Sequence, residues 1–283
     1  MKRKSLFLGW LCLPLLVLVA GFGPGWASEV SVEHRKLFTA DATPVEPEKY
    51  EAEFAYRYAW ADKVWDGEGR SGDRRRRQEQ AAGLTLVAGL LRDLDFSIAL
   101  DYLWIKDEEN LGPTKGNGLG DLGLGIRYRF LNREDKKWEL AWISALTVPS
   151  GSRSDLNRLG TGQEYWSWVN ALVATKDWGR LTANGEIGYS FPFGDARGRA
   201  RGSLSLNLAM GYQVWSWLQP ELEMNFSKDF VSEGEAAQVL ALAAGLVMPV
   251  HERLQIHLGV QQGIWGRNAD QGKLILLTVK TAF

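Results

Sequence analysis

Cysteine, histidine and long apolar runs are scarce in this 283-residue chain. Its one cysteine, Cys12, excludes a disulfide framework and thiol chemistry. The three histidines, His34, His251 and His257, are far apart in sequence, and no H-x-x-x-H pair or acidic calcium loop occurs, so neither a metal nor a cofactor is expected. After residue 20 no apolar stretch approaches the ~20 residues a helix needs to cross a bilayer, and the mean hydropathy is −0.21. Charge of one sign is missing as well. Lys and Arg number 33 against 34 acids, so no bulk positive field invites nucleic acid.

The amino terminus has the layout of a secretory signal: Lys2, Arg3 and Lys4, an apolar core over residues 6–20, and a small residue, Ala27, before "SEV". Residues 1–27 are therefore expected to be a signal peptide. Its removal takes away three cations and no acid, moving the net charge from −1 to −4. Leu11 is too bulky for the position before a lipidated cysteine, which argues against an anchor at Cys12.

Aromatic residues make up 11% of the chain, with 13 tryptophans, all but Trp10 and Trp26 after the signal. That usage suits a long half-polar perimeter such as a membrane interface. The apolar residues alternate. Ala52, Phe54, Tyr56, Tyr58 and Trp60 oppose Glu51, Glu53, Ala55, Arg57 and Ala59; Leu122, Leu124, Ile126, Tyr128 and Phe130 oppose Asp121, Gly123, Gly125, Arg127 and Arg129. A period of two is strand spacing. The same parity recurs over residues 80–91, 96–106, 138–148, 164–175, 181–193, 204–214, 218–226, 238–248, 254–260 and 274–283. Long polar loops such as "DGEGRSGDRRRRQ" follow the odd-numbered strands and tight turns such as "RDLD" the even-numbered ones.

These features predict an all-β fold: a transmembrane antiparallel up-and-down β-barrel of about twelve strands over residues 50–283, in a Gram-negative outer membrane. Tryptophans should form two girdles, with Trp138, Trp178, Trp215 and Trp217 at the short-turn rim and Trp60, Trp65, Trp104 and Trp265 at the other. A soluble β-sandwich or ligand-binding barrel would alternate too, with its apolar face inward. Loop asymmetry, strand length and Trp placement favour the membrane barrel. Residues 28–49, with Pro44 and Pro47 and no sustained alternation, are expected to be a periplasmic segment or a plug anchored by Leu37 and Phe38.

"HRKLFTADATPVEPEKYEAEFAYRY" (34–58), "GNGLGDLGLGIRYRFL" (116–131) and "LTVPSG" (146–151) together resemble the outer-membrane MetA-pathway phenol-degradation family. The resemblance runs over nearly all of the mature chain. It implies a barrel channel or transporter. Phe283 likewise resembles the terminal aromatic by which the outer-membrane barrel assembly machinery recognises a last strand.

The polar parity names the lumen candidates: Arg57, Asp121, Arg127, Arg129, Glu186, Glu223, Asn225 and His257. In an open lumen these charges would set a transverse field that selects solutes. In a closed one they would be structural ion pairs. Arg74, Arg75, Arg76 and Arg77, placed by the alternation on the first long loop, are either a solvated tip or contacts for lipopolysaccharide phosphates. Gly118, Gly120 and Gly123 fit G-x-G-x-x-G, but no helical pattern follows, which argues against a dinucleotide site. No Ser–His constellation appears, so no enzyme is expected. The expected function is passive passage of small aromatic or apolar molecules; the alternative is a closed structural or ligand-binding barrel.

Overall fold

The structure, a computed structural model, describes residues 34–108, 112–193, 200–231 and 235–283. The expected signal peptide and residues 28–33 lie outside the described residues. Fourteen strands follow in order: β1 (Tyr50–Trp65), β2 (Ser71–Leu91), β3 (Leu94–Asp107), β4 (Lys115–Leu119), β5 (Leu122–Arg133), β6 (Trp138–Val148), β7 (Trp166–Trp178), β8 (Leu181–Phe193), β9 (Ala200–Tyr212), β10 (Gln219–Val231), β11 (Gln238–His251), β12 (Leu254–Arg267), β13 (Ala269–Asp270) and β14 (Lys273–Ala282). All pairings are antiparallel, and each of the longer strands pairs with its neighbours in sequence.

The sheet closes on itself. β1 pairs with β2 (Glu51↔Val87) and with β14 (Glu51↔Ala282), so no edge is left. β4 and β5 both lie on β3 and share one stave, interrupted at Gly120 and Asp121; β13 and β14 both lie on β1 and share the last. The barrel thus has twelve staves, as the alternation predicts.

Parity decides what each face meets. Leu84, Leu86, Ile98, Ile126, Tyr128, Phe130, Leu172, Ile187, Leu206, Leu208 and Leu222 stand exposed on the outer wall, where lipid replaces water. The inner wall carries buried small and polar residues, among them Ala141, Ala171, Thr175, Asn184, Ala209, Glu223 and His257. The apolar clusters sit where residues 34–45 meet this wall: Leu37 with Val247 and Leu276, and Ala42 with Ala141 and Val173. Short turns close one end of the barrel. The turn after β7 uses Gly179 at φ +71°, a conformation that costs glycine nothing.

Three expectations need correction. β2 begins at Ser71, so Arg74–Arg77 lie on a strand and not on a loop tip; beyond the acyl chains both faces of that strand meet polar surroundings, and its apolar alternation disappears. The long polar loop that the alternation leaves after the third strand, "DEENLGPTKGNG" (107–118), is shortened by β4, whose glycines hide a strand signal. Trp65 is buried against Gly263 and Gly266 of β12 and does not join the outer girdle.

Candidate functional site in the lumen

Residues 34–49 are held by inward-facing side chains of seven staves, all near the short-turn end. Glu223 on β10 carries the largest share of this hold. Its Oε1 accepts from the backbone N–H groups of Leu37 (2.6 Å) and Phe38 (3.0 Å), and its Oε2 from Thr39 N–H (3.0 Å) and Thr39 Oγ1 (2.8 Å). Glu186 on β8 accepts from Ala40 N–H (3.1 Å), Thr175 on β7 from Ala42 N–H (2.9 Å), and Asp95 on β3 from Val45 N–H (3.0 Å). Asn184 donates to the carbonyls of His34 (2.9 Å) and Ala40 (3.0 Å). A segment without its own secondary structure thus satisfies its buried backbone from the barrel wall.

Charge pairs fix the segment's register. Lys36 Nζ lies 3.4 Å from Glu221, both side chains at 0% exposure. Arg127 binds Asp95 (2.6 Å) and Asp41 (3.2 Å) together, and Arg35 pairs with Glu51. Burial alone would raise the Asp41 carboxyl, but Arg127 and then Arg35 outweigh it and hold the group down at about 2. Arg129 bridges Glu139 (2.9 Å) and Asp93 (2.8 Å) beside the segment.

His34 sits at the short-turn mouth, beside a cavity of about 250 Å³ lined also by Glu139, Thr175 and Asp177. Its Nδ1 is 2.9 Å from Thr43 Oγ1 and its Nε2 2.7 Å from Asp177 Oδ2. This resembles the orientation of a nucleophile triad, but the proton count argues otherwise. Thr43 donates its hydroxyl proton to Glu139 (2.7 Å), so Nδ1 must itself donate to Thr43 while Nε2 donates to Asp177. His34 is therefore an imidazolium clip. Its pKa is raised: burial works against the charge, and the bond to Asp177 with the nearby Asp41 and Glu139 overcomes it.

Above this level the inner wall changes. Asn207 donates to Glu186 (3.2 Å), Asn225 to Asn207 (3.1 Å) and Gln261 to Asn225 (2.8 Å), an amide ladder whose last acceptor also holds the segment at Ala40. Arg57 pairs with Asp101 across β2 over Gly83, where a Cβ would stand 2.2 Å from the Asp101 carboxylate. That pair remains open, with side chains 41% and 34% exposed, whereas Glu223 and His257 are at 3%.

Arg57, Arg127, Arg129, Glu186, Glu223, Asn225 and His257 all line the lumen, but not as one group. Arg127, Arg129, Glu186, Glu223 and His257 gather at the segment. Arg57 and Asn225 lie above it. Asp121 serves elsewhere: its carboxylate accepts from Gly151 N–H (2.9 Å) and Gln163 N–H (2.6 Å), clasping both ends of the loop over residues 149–165. In the arginine run, Arg74 pairs with Asp107 and Asp270, Arg77 is 3.8 Å from Asp270, and Arg76 donates to Tyr58 on the outer wall. Phe283 is 62% exposed, its backbone N–H donating to Tyr50 (2.8 Å) at the seam. Gly118 lies in β4 and Gly123 in β5, so the glycine motif spans a break in a stave. Sequence reasoning missed Lys36, Asp41, Asp95 and Asp101; the last two share the inward parity of β3, while the segment has no periodicity to reveal the others.

The chain superposes on an outer membrane channel from Pseudomonas putida F1 with a TM-score of 0.76, at 15% identity, over 88% of this chain and 100% of the other. The NanC porin matches at TM-score 0.51 and 10% identity, over 82% of this chain and 98% of that one. At these identities the likeness is one of fold. A search of curated proteins found no match. A family model described as MetA-pathway of phenol degradation matches residues 88–278, most of the barrel, and the chain belongs to that family.

Proposed function

We propose that the protein is a passive outer-membrane channel for small apolar or aromatic molecules, with residues 34–49 serving as a plug in its periplasmic half. The observation that carries this reading is the gradient along the inner wall. Polar side chains are sealed at the level of Glu223 and His257 and accessible at Arg57 and Asp101. Such a lumen opens to the outside and closes below, as a gated path requires. The family description supports an aromatic cargo. Export by the signal at residues 1–27, insertion by assembly machinery reading Phe283, and contact with outer-leaflet lipid and lipopolysaccharide belong to the same reading. It assigns no catalytic step, because the proton count makes His34 a donor to both of its partners.

A second reading, a closed barrel of structural or ligand-binding role, is favoured by one observation. The cations Arg57, Arg127 and Arg129 are each paired with a neighbouring carboxylate, so no bare transverse field remains at their levels. Single-channel conductance of the refolded protein in a planar bilayer separates the two. Discrete openings are expected, more frequent after Arg127→Ala and blocked by phenol or toluate. Silence from folded barrels, with or without residues 28–46, overturns the channel.

A further inference from the structure

The extracellular end of the outer wall is uneven. Register brings three cations together on adjacent staves: Lys106 of β3 lies directly opposite Lys115 of β4, and Gln78 of β2 lies opposite Lys106, placing Arg76 one outward position further up. All three share the outward parity of the exposed Trp104 and Leu119. Like charges directly opposite across a strand pair destabilise a sheet unless an anion lies over them. Glu108 pairs with Lys106, leaving a surplus of positive charge on the patch among the described residues.

An aromatic belt lies just below these cations. Tyr58 and Trp60 stack at 5.3 Å, and Tyr102 meets Trp104 at 4.7 Å. The belt is tied to the polar row above it, since Arg76 donates to the Tyr58 hydroxyl (3.2 Å) and Asn117 to the Tyr102 hydroxyl (2.8 Å). Aromatic belts mark the boundary between acyl chains and headgroups, so the cations stand at headgroup height. Other outward cations at this rim stand singly: Lys228 over Phe230, Lys273 on Asp62, Arg267 over Trp265.

We infer that this face of β2, β3 and β4 binds the phosphate groups of lipid A, the anionic glycolipid of the outer leaflet; the inference rests on the outer-membrane reading above. Arg76 supplies a planar fork for phosphate oxygens, and Lys106 and Lys115 supply point charges. The belt beneath takes the sugar and upper acyl region. Of the arginines singled out by sequence, Arg76 stands on this face, whereas Arg74 and Arg77 turn to Asp270.

The test uses refolded full-length barrels in detergent, titrated with bisphosphorylated lipid A, dephosphorylated lipid A and phosphatidylglycerol, with binding read by native mass spectrometry. Substituting Arg76→Ser, Lys106→Ser and Lys115→Ser together should weaken lipid A binding by roughly fivefold per charge removed. The control pair Lys228→Ser with Lys273→Ser should leave it unchanged. Should the triple variant fail to fold, Lys115→Gln alone, on an exposed position of a short strand, carries the test with a single-charge loss. Equal binding by the triple variant, or undiminished binding of dephosphorylated lipid A, overturns the site. Equal affinity for phosphatidylglycerol reduces it to a general anionic surface and overturns the assignment to lipid A. Conductance is read separately, so a silent barrel that still discriminates lipid A would sink the channel and leave this inference standing.

Discussion

Glu223→Gln should loosen the lumenal segment without disturbing the barrel. The carboxylate accepts four hydrogen bonds, two on each oxygen, from Leu37, Phe38 and Thr39. Glutamine keeps the shape but replaces one oxygen with an NH2 group that faces two donors. Two bonds to a charged acceptor, at ~1.5–3 kcal/mol each, give ~3–6 kcal/mol. Water entering as the segment shifts recovers part of this, so a net loss of about 3 kcal/mol is reasonable. At ~1.4 kcal/mol per factor of ten, the ratio of unseated to seated segment rises by roughly two decades. The assay is open probability in a planar bilayer, with heat-modifiable migration confirming a folded barrel. In a variant lacking residues 28–46 the same substitution has nothing left to release and should be silent. Unchanged gating of folded Glu223→Gln, or an equal effect in the deletion background, refutes the reasoning.

The clip at His34 predicts a pH dependence. Its pKa is raised above 6.5, so its contribution is complete below 6.5 and lost as pH rises through the raised value; that of Asp41, lowered from 3.8 to about 2, is complete above 3.8 and lost only toward 2. Thiol labelling of Leu37→Cys, divided at each pH by the labelling rate of the same thiol in the unfolded chain to remove thiolate ionisation, should therefore be slowest between about pH 4 and 6.5 and accelerate above, and a flat normalised profile to pH 9, or one unaltered by His34→Gln, contradicts the clip. Gly89→Ala should displace the turn that carries the chain from lumen to β1, because a Cβ there would stand 1.9 Å from the Glu46 carbonyl oxygen. Overpacking against backbone costs about 1–3 kcal/mol, to be read as a lower midpoint in urea unfolding from lipid vesicles; an unchanged midpoint removes the contact from the account.

The barrel was legible because one solvent, lipid, touches one face of every stave. Wherever that holds, apolar and polar residues must alternate, and strands such as β5 can be read residue by residue. The rule fails where the second face leaves lipid. β2 continues through Ser71–Gln78 above the acyl-chain layer, where Arg and Asp on both faces mimic a loop. The inward parity also named Arg127, Arg129, Glu186 and Glu223, since a charged side chain has nowhere else to go. What it could not name were their partners. Arg127 meets Asp41 and Asp95 across 86 and 32 residues, and Leu37 meets Glu223 across 186. No local period encodes such pairs, because closure of the barrel alone brings their staves around one segment.

The chemistry of this seat suits a closure that must also release. Apolar burial by the segment is shared by Leu37, Ala42, Pro44 and Val45, with Phe38 and Ala40 half-buried beside them, so hydrophobic free energy opposes departure only moderately. The polar contacts are many, yet each exchanges for water at a net ~0.5–1.5 kcal/mol when its partners are wetted. Removing one partner and leaving the other dry costs far more, which makes a misplaced segment expensive even though an emptied, hydrated lumen is not. Lys36 with Glu221 at one end and Asp41 with Arg127 at the other therefore fix where the segment sits more firmly than they fix whether it stays. A solute that wets or covers the amide ladder acts on Glu186, which holds both Asn207 and the Ala40 N–H. On this reasoning Asn207→Leu, which leaves Glu186 to the segment alone, should tighten the seat and lower open probability, whereas Glu186→Gln should raise it. Finding both variants shifted in the same direction in bilayer recordings would break the link between ladder and plug.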